Sequence, residues 1–332
     1  GTLAGFVTND FYLRVAFMAC VYYLCAAGMG VLVGFAGQKS LGQAGLFGAG
    51  AYSAALLTVH TAWSPWLVLA ASTAIAALTG ALIALPALRV RGPYLAMVTL
   101  AFGIVIEKLV TEWTDVFGGA QGLYGVRPLT WNGQAFTFQQ WVWLGLALSL
   151  VVFLLVRNLV RGRIGRALLS IQTDEIAAAC VGIRVHAYKA IAFAVAAATC
   201  GLAGAMVALQ IQYINSDFVT LHLSIFILLL VLFGGAHSIY GPIAGAIVLT
   251  GLDAALAQWP AVQHFVYGAI LLLALYVMPG GIVGWASRFV RRRPMPPTAA
   301  SLDRPVPLRF SRGASGELLR VEGLSKAYGG VR

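Results

Sequence analysis

Residues 34–52 read Gly34-Phe35-Ala36-Gly37-Gln38-Lys39-Ser40-Leu41-Gly42-Gln43-Ala44-Gly45-Leu46-Phe47-Gly48-Ala49-Gly50-Ala51-Tyr52, a polar and glycine-rich interruption between two long apolar segments. In lipid, a helix can be broken only where the freed backbone groups find partners in protein or water. The break therefore belongs beside a cavity or at a close helix contact, and we predict a transport site here. The alternative is a plain loop followed by a helix whose small residues pack against a neighbouring helix.

The composition excludes a soluble globular domain. The chain has 332 residues, of which 60% are hydrophobic and 10% charged, with a mean hydropathy of +0.85. Soluble domains carry about 25% charged residues. The net charge of +11 comes mainly from basic residues between apolar spans and in the tail. This distribution is typical of membrane topology and gives no reason to expect a nucleic-acid partner.

The apolar segments predict an all-α, polytopic membrane bundle with discontinuous helices. Since about 20 apolar residues cross the hydrocarbon, charges, prolines and glycines divide the sequence into about nine spans. These spans are predicted at residues 11–35, 43–59, 66–88, 93–113, 141–156, 190–211 and 221–233, in a run ending at 257, and at 265–283. Residues 114–140 are too polar to cross and are predicted to form an external loop.

The basic residues predict the orientation of the bundle. They gather on one side if the spans alternate, namely Arg89, Arg91, the 157–184 segment and the 288–293 tail. That side is expected to be cytoplasmic, which places the carboxyl end inside and the first residue outside. A cytoplasmic start would need one more span, so we expect ten natively, with the tenth before Gly1.

A second interruption, from Gly234 to Pro242, falls in the other half of the sequence and contains His237. Paired interruptions in corresponding halves point to an inverted repeat with its site near the membrane midplane. Asp253 is either a functional charge within the membrane or a solvated residue near the outer end of its span. Lys108 and Glu112 are four residues apart and can pair on one helix face, which indicates an interfacial helix end and not a buried charge relay.

Residues 162–183 are too charged for a span but keep a helical spacing of apolar residues. Thr173 or Asp174 can cap a short helix that begins at Glu175, and Gly182 can end it. Such a helix suits either a groove on a partner domain or the membrane surface.

Several motifs together resemble the branched-chain amino-acid ABC permease family. They are residues 34–52, the segment Leu88 to Phe102, Gly118-Gly119-Ala120-Gln121-Gly122-Leu123, residues 234–242, and Tyr276-Val277-Met278-Pro279-Gly280-Gly281. Glu175-Ile176-Ala177-Ala178-Ala179 with Gly182 resembles the segment by which ABC importers dock on their ATPase. Gln43 stands where this family leads us to expect histidine, and Ala120-Gln121 replaces a more usual serine-containing pair. Urea, amides and aromatic acids therefore stay open as solutes.

The resemblance implies a set of functional residues and partners. The substrate path is predicted to include Gly37, Gln38, Ser40, Gly42, Gln43, Tyr94, Thr99 and His237. The residues predicted to couple the permease to the ATPase are Asp174, Glu175, Ala178 and Gly182. The implied partners are a homologous permease subunit in a heterodimer, ABC ATPase domains, a periplasmic substrate-binding protein and membrane lipids. The implied location is the bacterial inner membrane.

The tail changes character after residue 290. The permease domain is predicted to span residues 1–290. Residues 291–316 are rich in arginine, proline and serine and are predicted to form a linker. Residues 317–332 resemble the first strand of an ABC ATP-binding domain, with Tyr328 as the ring that stacks on ATP. The sequence contains no phosphate-loop motif, so ATP and Mg are expected only at the nucleotide-binding domain of the full transporter. We expect the native chain to continue into that domain.

Other functions find less support in the sequence. An ion-coupled secondary transporter should carry chains of acidic or histidine residues inside the membrane, and Asp253 and Glu107 are the two candidates. No nucleophile and base set is visible, so no catalytic residues are predicted and the chain itself is expected not to be an enzyme. The five histidines lack metal-ligand spacing, and the four cysteines, Cys20, Cys25, Cys180 and Cys200, are expected to be small core residues.

Overall fold

The computed structural model describes residues 10–87, 90, 92–131, 134–257, 259, 265–266, 268–269 and 280–290. The helices in this part of the chain are α1 (Asp10–Gly30), α2 (Gln43–His60), α3 (Pro65–Ala87), α4 (Pro93–Glu112), α5 (Thr114–Phe117), α6 (Phe138–Arg161), α7 (Arg163–Thr173), α8 (Glu175–Cys180), α9 (Val185–Ile211), α10 (Leu221–Gly234), α11 (Gly241–Leu256) and α12 (Gly281–Val290). The strands are β1 (Leu123–Tyr124), β2 (Thr130–Trp131), β3 (Gln134–Ala135) and β4 (Tyr213–Ile214).

The helices confirm an all-α membrane architecture. Within the described ranges, five helices are long and apolar enough to cross a membrane: Asp10–Phe35, Pro65–Pro86, Tyr94–Glu112, Phe138–Arg161 and Val185–Ile211. The spans predicted at 43–59, 221–233 and up to 257 appear as the helices α2, α10 and α11. The predicted span at 265–283 lies largely outside the described residues.

The helix α9 is the centre of the bundle and packs along α1, α2 and α3. Small residues allow these close contacts. A Cβ on Gly50 would overlap the carbonyl of Gly201, and one on Gly204 would overlap the carbonyl of Phe47. Without a hydrophobic driving force between helices in lipid, such close packing is a main source of association.

One end of the bundle is closed by the segment between α4 and α6. It was predicted as a loop, but it contains α5 and two short antiparallel pairings, and β1 pairs with β4, which follows α9. Arg127 donates from Nε and Nη2 to the carbonyl of Thr58 at 3.1 and 2.7 Å, and also to the carbonyl of Thr61. The guanidinium thus satisfies carbonyls at the end of α2 that the helix itself leaves unpaired. We call this the strand end.

The rings of Tyr124 and Tyr213 meet at the strand end, with centroids 4.6 Å apart. Tyr213 also donates its hydroxyl to the carbonyl of Gln121 at 3.0 Å. Desolvation, followed by the neighbouring Tyr124 and Asp217, raises the pKa of Tyr213 above its usual value.

The opposite end, which we call the basic end, carries α7 and α8 together with arginines of the 157–184 segment. One prediction about the cysteines was wrong. Cys180, at the end of α8, is exposed, whereas Cys20, Cys25 and Cys200 are buried as expected. Lys108 and Glu112 are both exposed, and within the described part of the chain no ion pair joins them.

Candidate functional site

The first interruption is a real break in the helix. The last turn of α1 widens into a π-helical turn, Val31–Phe35, and the N–H of Gln38 donates to the carbonyl of Leu32 at 2.9 Å. Gly37 then turns the chain with φ +66°, a conformation that favours glycine. Residues up to Gly42 are non-helical, and α2 begins at Gln43. The glycine-rich stretch therefore separates two helices inside the bundle, as predicted.

Three hydroxyl groups support the backbone where α2 begins. Thr99 Oγ1 accepts from the N–H of Leu41 at 3.0 Å, Ser40 Oγ from Gly42 at 3.3 Å, and Ser224 Oγ from Ala44 at 2.9 Å. Ser224 comes from α10, so the two halves of the sequence meet here. These bonds satisfy amides that the start of a helix leaves free.

Gln43 lies at the same point and is fully buried. Neither Oε1 nor Nε2 of its side chain has a hydrogen-bond partner. Its carbonyl accepts from the Cys200 thiol, with 3.2 Å between Sγ and O. Cys200 lies near the middle of Val185–Ile211, so this unpaired amide is deep in the bundle.

The second interruption packs against the first. The helix α10 ends at Gly234, and α11 begins at Gly241. A Cβ on Gly34 would overlap the carbonyl of Ala236, which leaves no room for a side chain between the two breaks. The sequence predicted both interruptions, and the structure brings them into contact.

Gln172, on α7, contacts both interruptions. Its Nε2 lies 3.4 Å from Nε2 of His237. A Cβ on Gly37 would lie 2.9 Å from its Cγ. Gln172 was not among the predicted site residues. It is one of several polar residues on an amphipathic helix, and its spacing in the sequence does not distinguish it from the others.

A cavity of about 210 Å³ lies between α1, α10 and α11, nearer the strand end. Its wall is largely apolar and includes Val21, Phe47 and Phe226, while Asp217, His222 and Asp253 supply the ionisable groups. Mixed lining of this kind is typical of sites for small organic ligands. Phe47 lies four residues after Gln43 on α2, so both side chains are on the same face of that helix.

The short helix α8 has the predicted start. Asp174 caps it and accepts through Oδ1 from the N–H groups of Ile176 and Ala177 at 2.8 and 3.1 Å. Gly182 follows with φ +84°. Glu175 accepts from Lys189 of α9, with 2.5 Å between Oε1 and Nζ. Lys189 is 3% exposed, so this ion pair fixes α8 to the base of α9.

The remaining predicted residues take different positions. Gln38, 8% exposed, donates from Nε2 to its neighbour's carbonyl, that of Ala36, at 3.2 Å. Tyr94 is 66% exposed, and no hydrogen bond joins it to the other predicted residues in the described part of the chain. Ala178 is buried on the inner side of α8. Tyr328 and residues 291–332 lie outside the described residues.

The described ranges contain no group of three His, Cys, Asp or Glu side chains that could hold a metal ion.

Apolar helices of membrane-spanning length and two helix breaks that meet inside the bundle are the architecture of a multi-pass membrane protein. The sequence model of the family "Branched-chain amino acid transport system / permease component" matches residues 11–275, and the chain belongs to this family.

Similar proteins carry related descriptions. The high-affinity branched-chain amino acid transport system permease protein LivM of Escherichia coli (strain K12) is 30% identical, over 84% of this chain and 71% of the relative. LivM of Salmonella typhimurium (strain LT2) is 29% identical over the same shares. A protein described as a probable branched-chain amino acid transport permease, LivM of Methanocaldococcus jannaschii, is 21% identical over 61% of this chain and 64% of the relative. No solved structure matches the chain.

Proposed function

We propose that this chain is the permease subunit of an ABC importer that carries branched-chain amino acids across the bacterial inner membrane. Two observations support it together. The chain matches the family, and two helix breaks meet beside the segment with α7 and α8, which is suited to docking an ATPase. The basic end then faces the cytoplasm and the strand end the outside. A homologous permease subunit, ABC ATPases that hold ATP and Mg, and an external binding protein complete the transporter.

The solute route runs between the two ends. A solute released at the strand end enters the cavity beside Phe47, passes the polar start of α2 and leaves near Gly37 and His237. Ser40, Thr99 and Gln43 offer neutral hydrogen bonds along this route, and Gly42 lets the chain approach α4 closely, since a Cβ there would lie 2.7 Å from the carbonyl of Thr99. Tyr94, being exposed, faces the partner permease in this proposal.

The docking of the ATPase is proposed for the outer surface of α8. Ile176 on α8 and Val181 directly after it are 67% and 76% exposed, so they present apolar surface at the basic end. Apolar residues presented by a short helix are suited to a groove on a partner. Asp174, Glu175, Ala178 and Gly182 act indirectly, because they hold this helix in place.

A transport assay tests the proposal. Proteoliposomes that contain this chain with its partner permease and ATPases receive labelled leucine, valine or urea on the external binding protein. We expect leucine and valine to enter only when ATP reaches the ATPase side. Uptake driven by a proton gradient without ATP would favour ion coupling through Asp253 and Glu107 instead.

A pair of variants tests the docking surface. Ile176→Ser should weaken ATPase binding and lower uptake, while Leu169→Ser, a change of the same kind at a residue 40% exposed on α7, should leave both near the original level. Co-purification of the ATPase with each variant measures the effect. Equal retention of the ATPase by both variants would remove α8 from the proposal.

The tail calls for a separate proposal. Residues 317–332, with Tyr328, are proposed to open an ATP-binding domain joined to the permease through the linker 291–316. A phosphate-loop lysine encoded shortly after Tyr328 in the native gene would support this arrangement. A stop codon there would exclude it.

A further inference from the structure

We propose that Gln43, together with the amino end of α2, binds the carboxylate of a zwitterionic amino acid on its way through the permease. This inference rests on the proposed function and adds a recognition role to it. Three observations carry it: a buried amide without partners, the start of an 18-residue helix, and a cavity lined by Phe47, which lies one helical turn after Gln43 on that helix.

The unpaired amide is the first observation. Gln43 is 0% exposed, and both polar atoms of its side chain lack a partner. A buried polar group without hydrogen bonds is costly, whereas an apolar side chain of similar size in its place has no such cost. A ligand that both donates and accepts hydrogen bonds would satisfy the two unpaired polar atoms of this side chain.

The helix start is the second observation. The amino end of a helix carries partial positive charge and free N–H groups, and it favours anions. Three neighbouring amides, those of Leu41, Gly42 and Ala44, bond to hydroxyl groups, whereas the N–H groups of Gln43 and Gly45 form no bond to a described residue. Interrupted helices of transporters use such ends to hold carboxylate groups near the membrane midplane.

The cavity supplies the rest of an amino acid site. Its volume of about 210 Å³ and its largely apolar wall suit an aliphatic side chain. Asp217 and Asp253 line the same cavity, and their negative charge favours an ammonium group there. In this proposal a zwitterion is oriented with its carboxylate toward α2. Gln43 itself does not line the cavity, so the carboxylate has to pass Phe47 to reach it.

The test compares two buried polar residues that both lack partners. Gln43→Leu removes the amide, and Thr250→Val removes the unpaired hydroxyl of a residue that is 2% exposed on α11. Both variants should keep or raise the melting temperature of the assembled transporter. Gln43→Leu should lower leucine uptake about ten- to hundredfold, the loss expected when hydrogen bonds to a charged group disappear. Thr250→Val should leave uptake unchanged.

Ligand-induced stabilisation gives a readout that does not depend on transport. The purified transporter is melted with leucine, with 4-methylpentanoate, which has the carboxylate alone, and with 3-methylbutylamine, which has the ammonium alone. We expect leucine and 4-methylpentanoate to raise the melting temperature in the original protein, and 4-methylpentanoate to lose its effect in Gln43→Leu.

The outcomes separate this inference from the proposed function. Unchanged uptake by Gln43→Leu, a fall in its melting temperature, or an undiminished effect of 4-methylpentanoate on it would overturn the role of Gln43. Absence of leucine uptake by the original transporter would instead count against the proposed function. A stabilisation by 4-methylpentanoate that requires Gln43 would still support the carboxylate site in that case.

Discussion

The ammonium of Lys189 lies 2.5 Å from Oε1 of Glu175, and this pair joins the first residue of α8 to the base of the central helix α9. Lys189 has 4% of its side chain exposed and Glu175 has 27%, so the pair is shielded on the lysine side. Glu175 is one of the residues predicted to couple the permease to the ATPase. In the structure its carboxylate fixes α8 to α9.

Removing the carboxylate from this pair should destabilise the protein. Glu175→Ala leaves the buried ammonium of Lys189 without its acceptor, which we expect to cost about 3 kcal/mol, the lower end for a broken buried pair. The double variant Glu175→Ala with Lys189→Met should recover some of that loss. Melting temperatures of the two single variants and the double variant measure the coupling, and strictly additive losses would contradict it.

Removing the cap of α8 should loosen that helix locally. Asp174→Ala deletes the oxygen that accepts from two N–H groups, which we expect to cost about 1 kcal/mol. Asp174→Asn keeps an acceptor and should behave nearly as the original. Hydrogen exchange of residues 175–182 measures the effect. Thr173→Ala is the control, because its hydroxyl bonds to the carbonyl of Leu169 instead; equal exchange in all three variants would show that the cap is unimportant.

A methyl group at the contact between α2 and α9 should not be tolerated. Gly50→Ala places a Cβ against the backbone of Gly201, and overpacking of this kind costs about 1–3 kcal/mol or more. Gly251→Ala, at a helical position with open space around the added Cβ, should gain up to about 1 kcal/mol. Thermal melting of the purified protein ranks the two, and a Gly50 variant as stable as the original would refute the close approach.

Truncating the side chain of Arg127 should loosen the segment between α4 and α6 at the strand end. Arg127→Ala loses the charge-assisted bonds to the carbonyls of Thr58 and Thr61, and since the side chain is largely exposed we expect a loss of about 1–2 kcal/mol. Arg127→Lys keeps the charge but not the fork of donors, so its recovery should be incomplete. Limited proteolysis between residues 118 and 135 detects the release; resistance in the alanine variant would show that the strands alone hold this segment.

Local patterns in the sequence predicted the breaks and the cap. Gly37 needs its positive φ, and Asp174 stands directly before a helical run. The residue types and their order were therefore sufficient to predict both the helix break and the helix cap. The same holds for the long apolar helices, whose length follows from the thickness of the hydrocarbon.

Contacts between distant residues could not be predicted in the same way. Ser224 reaches Ala44 across 180 positions, and Lys189 reaches Glu175 across 14. Each of these residues has an ordinary alternative explanation in its own segment, as a polar position in an apolar run or a basic residue beside a span. The burial of Gln43 could likewise not be predicted from the sequence, because a glutamine next to glycines is equally suited to an exposed turn.

The position of Gln172 between Gly37 and His237 limits how the path can open. One side chain touches both halves of the molecule, so a shift of α7 reaches the two interruptions at the same moment. If only one interruption moved, Gln172 would lose its contact with either Gly37 or His237 and retain the other. If the proposed transport cycle moves α7, we therefore expect the two interruptions to shift together.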